Sequence, residues 1–159
     1  MPGIDDRTIV SWQLGRPSRP FRDVPIRCPH GFPAVTEQAP RGPDGRPFPT
    51  TFYLTCPLLA AAIGRIEADG GVRRWTLAAA ADPALVRSLE RADADQRRLR
   101  PELEAGIAGT RDPAQLKCLH AHAAFALARP GYVLGERILA EVEERWCPDA
   151  RCREAVQYY

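Results

Sequence analysis

The sequence predicts an α+β fold in which a small antiparallel sheet, drawn from a proline-rich N-terminal third, packs on four to five helices. Three observations predict it. Residues 16–50 hold nine of the 16 prolines, a density that rules out helix there. After Cys56 the apolar residues recur at helical spacing. No internal repeat divides the 159 residues, so the chain reads as a single domain, 1–159, with a loop and short-strand segment over 16–56 and a mainly helical part over 57–146. A chain of this length buries roughly 70% of its unfolded surface and needs no disulfide staple to hold a core.

Taken in order, Asp5 or Asp6 caps a short helix that runs to Leu14 and stops at Gly15. Short strands are expected at 24–28, 34–37 and 51–55, with Pro43, Asp44 and Gly45 forming a turn. Pro57 suits the first position of a helix on which Leu58, Leu59, Ala62, Ile63 and Ile66 repeat, and Gly70 and Gly71 stop it. A second helix covers 72–81, and Asp82 with Pro83 caps a longer one carrying Leu85, Leu89, Ala92, Leu99 and Leu103. Asp112 and Pro113 repeat that cap signal and are expected to open a helix through Ala128. A last helix spans 134–146, and Phe48, Phe52 and Tyr53 are assigned to the core.

Several function classes lose weight at once. The first twenty residues carry Asp5, Asp6, Arg7 and Arg16 without an apolar run, and no stretch of about 18 apolar residues occurs, so a cytoplasmic chain without a membrane partner is expected. A net charge of +2 argues against a nucleic-acid partner. No G-x-G-x-x-G, P-loop or nucleophile-elbow serine is present.

What stands out is the placement of cysteine and histidine. In the cytoplasm the five cysteines should stay reduced, and an odd number argues against a disulfide framework. All three histidines lie within four residues of a cysteine, in Cys28-Pro29-His30 and in Cys118-Leu119-His120-Ala121-His122. Thiolate and imidazole are zinc ligands, and four thiolates hold an iron–sulfur cluster. Cys28 to Gly31 reads as a turn between strands, and Cys56, before Pro57, falls at a helix N-terminus that favours thiolate. On a regular helix Cys118 and His122 share a face, about 40° apart. His120 lies nearly opposite, on the stripe of Leu116, Ala123 and Leu127, and reaches the same ion as Cys118 only if the helix begins late or bends.

The expected site is therefore a zinc ion held by Cys28, Cys56 and Cys118, with His120 or His122 competing for the fourth place and His30 or Cys147 as further candidates. An alternative is an iron–sulfur cluster on Cys28, Cys56, Cys118 and Cys147; Cys28, Cys56 and Cys147 are each followed by proline. A different class is an enzyme with a Cys56 nucleophile, His30 or His120 as base, and Lys117 or Arg27 binding an anionic substrate. Lys117 is the single lysine against 21 arginines, and Cys152 is read as an idle thiol.

Three blocks carry a resemblance. They are Arg27-Cys28-Pro29-His30-Gly31-Phe32-Pro33, the run from Gly45-Arg46-Pro47-Phe48-Pro49-Thr50 through Cys56-Pro57, and Lys117-Cys118-Leu119-His120-Ala121-His122. With the closing pair Cys147 and Cys152, the chain resembles the bacterial domain of unknown function 501 family from about Trp12 to Cys152. It departs where Tyr132, Val133, Leu134 and Gly135 replace an asparagine–proline turn. The resemblance implies a recurring set of Cys28, Cys56, Cys118 and His120 and makes Lys117 part of a motif. It implies no activity. The family's genes lie near cell-division genes in some actinobacteria, which adds a non-catalytic interaction module with a protein partner to the expectations.

Overall fold

A computed structural model of the chain describes residues 4–157. Helix α1 (Asp6–Leu14) starts where the Asp5 carboxylate accepts the Thr8 N–H at 2.9 Å and ends at Gly15, whose φ of 69° is the left-handed cap that glycine adopts freely. The proline-rich segment then supplies β1 (Phe21–Arg27), β2 (Pro33–Gln38) and β3 (Phe52–Leu54), an antiparallel sheet in the order β1-β2-β3. Its prolines sit where a missing N–H is harmless: Pro25 lies in the edge strand β1, and Pro33 is the first residue of the central strand. Strand β2 is buried on both faces apart from the half-buried Glu37. Phe52 is buried as expected, whereas Phe48 and Tyr53 are half-buried against each other with ring centroids 6.2 Å apart.

Helices α2 (Pro57–Ala68), α3 (Gly71–Ala81) and α4 (Pro83–Leu99) follow the periodicity closely. Asp82 caps α4 by accepting the Ala84 N–H at 2.9 Å. The helix stops at Leu99, not Leu103, because Pro101 excludes helical backbone from the residue before it, and Arg100 turns out to φ −137° and ψ 62°. Released from the helix, the buried Arg100 guanidinium donates to the Gln38 carbonyl at 2.8 Å and meets Glu37 at 3.3 Å. Gln96 donates to Thr51 Oγ1 at 2.6 Å. The end of α4 is thereby lashed to the sheet.

The expected helix from Asp112 does not form there. The Asp112 carboxylate accepts the Ala114 N–H at 2.9 Å, but this capping bond closes only a turn. The buried Leu116 follows, then Lys117 with a φ of 51°, then Cys118 in extended backbone. The Cys118 N–H bonds the Leu116 carbonyl across Lys117, a three-residue γ-turn of the rare positive-φ kind. Helix α5 (Leu119–Ala128) therefore begins late. It carries no aspartate, glutamate, lysine or arginine, is buried nearly all round, and occupies the interior against β3, α2 and α6 (Val133–Ala140). Phe125 packs edge-on against Phe52 and Tyr132, with centroids 5.6 and 5.9 Å away.

The last long helix ends at Ala140 and not at Trp146. Residues 141–152 turn back toward the N-terminal hairpin instead, and α7 (Arg153–Gln157) lies against α1. Helices α5 and α6 touch at Gly135, where an added Cβ would stand 2.6 Å from the Ala126 Cβ and 2.8 Å from the His122 carbonyl oxygen. Gly135→Ala should therefore lower stability by about 2 kcal/mol, or Tm by about 4–8 °C, measured by thermal unfolding.

Candidate metal centre

The late start of α5 decides what its first turn can do. Cys118 is the helix N-cap, His120 lies one residue into the helix, and Glu67 reaches them from the last turn of α2. One donor atom from each of Glu67, Cys118 and His120 lies within 4.8 Å of the other two. Glu67 Oε2 accepts the Leu119 N–H at 2.9 Å, satisfying an amide that has no partner inside α5, and Oε1 lies 2.8 Å from His120 Nδ1. On the other side of the ring, His120 Nε2 donates to the Ala60 carbonyl at 2.9 Å.

With acceptors at both ring nitrogens, the imidazole is held protonated. The hydrogen bond with Cys118 is the largest cause, with burial opposing and Ala60 and Glu67 assisting, and together they raise the His120 pKa to about 9. All three side chains are half-buried. A thiol, a carboxylate and an imidazole nitrogen thus converge, with the Nδ1 proton facing Glu67. A cation of suitable size can take that proton's place, with the Nε2–H to Ala60 bond acting as the outer partner that orients a ligating histidine. Nothing in the sequence singled out Glu67; it occupies one of many charged positions, and only the packing of α2 on α5 distinguishes it.

His122, two residues on, points the other way. It is buried, donates Nε2–H to the Leu116 carbonyl at 3.1 Å, and accepts the Tyr132 O–H at Nδ1, 2.7 Å away. Burial pulls its pKa down to about 4 and keeps it neutral. Both nitrogens are engaged, so no lone pair is left for a metal. The expected face shared with Cys118 does not exist, because Cys118 stands outside the helix with φ −138° and ψ 111°.

Cys28 and Cys56 lie elsewhere. Cys28 closes the β1–β2 hairpin as the sequence suggests, its N–H donating to the Phe32 carbonyl at 2.9 Å and its carbonyl accepting the Gly31 N–H at 2.9 Å. Cys56 opens α2, about 16 Å of helix rise from Glu67. The amides of Leu58 and Leu59 at the helix start favour the thiolate, but burial is the larger effect and pushes the thiol up, and Cys56 makes no side-chain capping bond. An activated Cys56 nucleophile does not follow. Cys28 and Cys147 lie near enough to Cys56 to add to that effect, and Cys152 has Cys56, Cys28 and Cys147 as its neighbours. The single set expected from the sequence therefore divides, with Cys118 and His120 at one end of α2 and Cys28 and Cys56 at the other. Cys152, read as idle, is buried in the second group.

The remaining candidates are accounted for individually. His30 Nε2 donates to the Cys147 carbonyl at 2.8 Å. Arg27 forms a two-bond pair with Asp6 at 2.9 and 2.6 Å, which occupies the guanidinium proposed for an anionic substrate. Lys117 is exposed at the γ-turn beside Cys118.

A family model described as protein of unknown function (DUF501) matches residues 24–105, more than half of the chain. The chain belongs to the DUF501 family. The stretch matched by the DUF501 model holds Cys28, Cys56 and Glu67 and ends before Cys118, His120 and the closing cysteine pair. No curated protein and no solved structure matches the chain. Among the described residues no helix is long and apolar enough to cross a membrane.

His122 is a packed core residue whose ring satisfies Tyr132 and Leu116. His122→Ala removes a buried ring and strands the Tyr132 hydroxyl, so it should destabilise the DUF501 chain by about 3 kcal/mol in urea unfolding, and Tyr132→Phe by about 1 kcal/mol.

Proposed function

We propose that this DUF501 protein is a zinc-binding protein whose Glu67 Oε1, Cys118 Sγ and His120 Nδ1 hold one ion. The observation that carries the reading is the convergence of these three donors, from two helices, within 4.8 Å of one another. Their chemistry supports it. Thiolate, imidazole and carboxylate together suit a borderline-soft divalent ion that accepts four ligands in a tetrahedron. Three protein donors leave the fourth position to water, the pattern of reactive zinc and not of closed structural sites. The half-exposed setting of the three side chains agrees with an accessible fourth position. On loading, Cys118 and His120 Nδ1 each give up a proton to make room for the ion.

The outer contacts also support it. Leu119 N–H holds one carboxylate oxygen and leaves the other for the metal, and the Ala60 carbonyl holds the histidine tautomer that presents Nδ1. This ligand set keeps Cys118 and His120 from the sequence-based expectation and takes Glu67 in place of Cys28 and Cys56.

Protein stripped of metal under anaerobic conditions should take up one equivalent of zinc that Cys118→Ala, His120→Ala and Glu67→Gln each weaken by at least about 100-fold. Cobalt in the same place should show a thiolate-to-metal absorption band that Cys118→Ala abolishes. Zinc uptake unchanged in all three variants would sink the reading.

A further inference from the structure

Four of the five cysteines gather at the end of α2 away from Cys118, and hydrogen bonds tie each of them, directly or through Gln13, to residues 30–34. The carbonyls of Phe32, Pro33 and Ala34, at the entry to β2, anchor three of them. Phe32 O accepts the Cys28 N–H at 2.9 Å, and Ala34 O accepts the Cys56 N–H at 3.2 Å. Between them, Pro33 O accepts Gln13 Nε2 at 2.8 Å, and the same amide nitrogen lies 3.3 Å from Cys152 Sγ as its donor. Cys147 is held by its carbonyl to His30, in the hairpin loop that Cys28 begins. Cys56, Cys147 and Cys152 are buried and Cys28 is half-buried, all as free thiols.

We propose that Cys28, Cys56, Cys147 and Cys152 are the four ligands of an iron–sulfur cluster of the four-iron type, which pins the C-terminal segment onto the hairpin. The spacing of the thiols argues against a single ion. A single tetrahedral zinc with bonds of about 2.3 Å draws its sulfurs to about 3.8 Å from one another. Among the described residues, Glu67, Cys118 and His120 form the group of three such ligand atoms lying within 4.8 Å of each other, and no three of these sulfurs do. Hydrogen-bonded around one hairpin, the four thiols still do not close to the spacing of a single ion. A cluster bonds each thiolate to a separate iron at its own corner and needs that wider frame.

The surroundings suit thiolates bound to a buried, negatively charged group. Cys56 stands at the N-terminus of a twelve-residue helix, whose first amides favour thiolate, and Gln13 donates to Cys152. Thr55, adjacent to Cys56, has a buried hydroxyl with no partner among the described residues, an O–H donor in reserve. Proline follows Cys28, Cys56 and Cys147. The site is independent of the zinc reading for Glu67, Cys118 and His120, since the two groups share no residue.

The test uses the full chain, purified without oxygen and, separately, reconstituted with a mixture of ferrous and ferric iron and sulfide. About four irons and four acid-labile sulfides per chain are expected, with visible absorption that dithionite bleaches. Cys147→Ser and Cys152→Ser should lose the chromophore, and Cys118→Ala should keep it. Chemical analysis of the unaltered protein stands even where a cysteine variant fails to fold. Iron and sulfide absent after both preparations would overturn the proposal. So would one zinc retained by Cys118→Ala and lost by Cys147→Ser, which would assign a single ion to these thiols.

Discussion

The bond between the Glu67 carboxylate and the first amide of α5 is the constraint on which the candidate centre depends. It anchors α5 where Leu119 meets the last turn of α2, and it spends only one of the two carboxylate oxygens in doing so. The other oxygen is left against His120. The same join places Cys118 just outside the helix, in extended backbone where its sulfur can turn toward the histidine. Had the helix begun at Pro113, Cys118 and His120 would sit about 200° apart on one cylinder and could not share anything.

Two histidines separated by one residue thus acquire opposite chemistry from packing alone. His120 lies between acceptors at the seam of two helices and is held as a cation, whereas His122 enters the core, loses its hydration and is kept neutral by burial. The difference is one of partners. His122 finds a carbonyl and a phenol hydroxyl that need one donor and one acceptor, which is what neutral imidazole supplies. His120 finds a carbonyl, a carboxylate and a thiol, three groups that all favour a positive charge between them.

The two ends of α2 carry the two cysteine-bearing groups, and the reason lies in the chain's path. Helix α2 leaves the sheet at Cys56 and meets α5 at Glu67, so its length separates thiols that the sequence alone invites one to combine. The C-terminal segment then abandons helix after Ala140 and returns to the hairpin, bringing Cys147 and Cys152 beside residues more than a hundred positions earlier. No local signal foretells a contact of that range.

By itself the sequence determined the α+β class, the strands in the proline-rich third, and the capping of α1 and α4, and it pointed to cysteine and histidine as candidate ligands. These are local matters: proline removes a donor, aspartate caps an amide, and apolar spacing marks a buried face. Only the tertiary structure decided the start of α5, the recruitment of Glu67, the loss of His122 to the core and the division of the cysteines into four and one. Each depends on distances between segments far apart in the chain, which residue spacing does not encode. Leu116, Asp112 and Pro113 satisfy a helical pattern as well as they satisfy a turn, and the choice falls to the amide of Leu119 and the carboxylate that receives it.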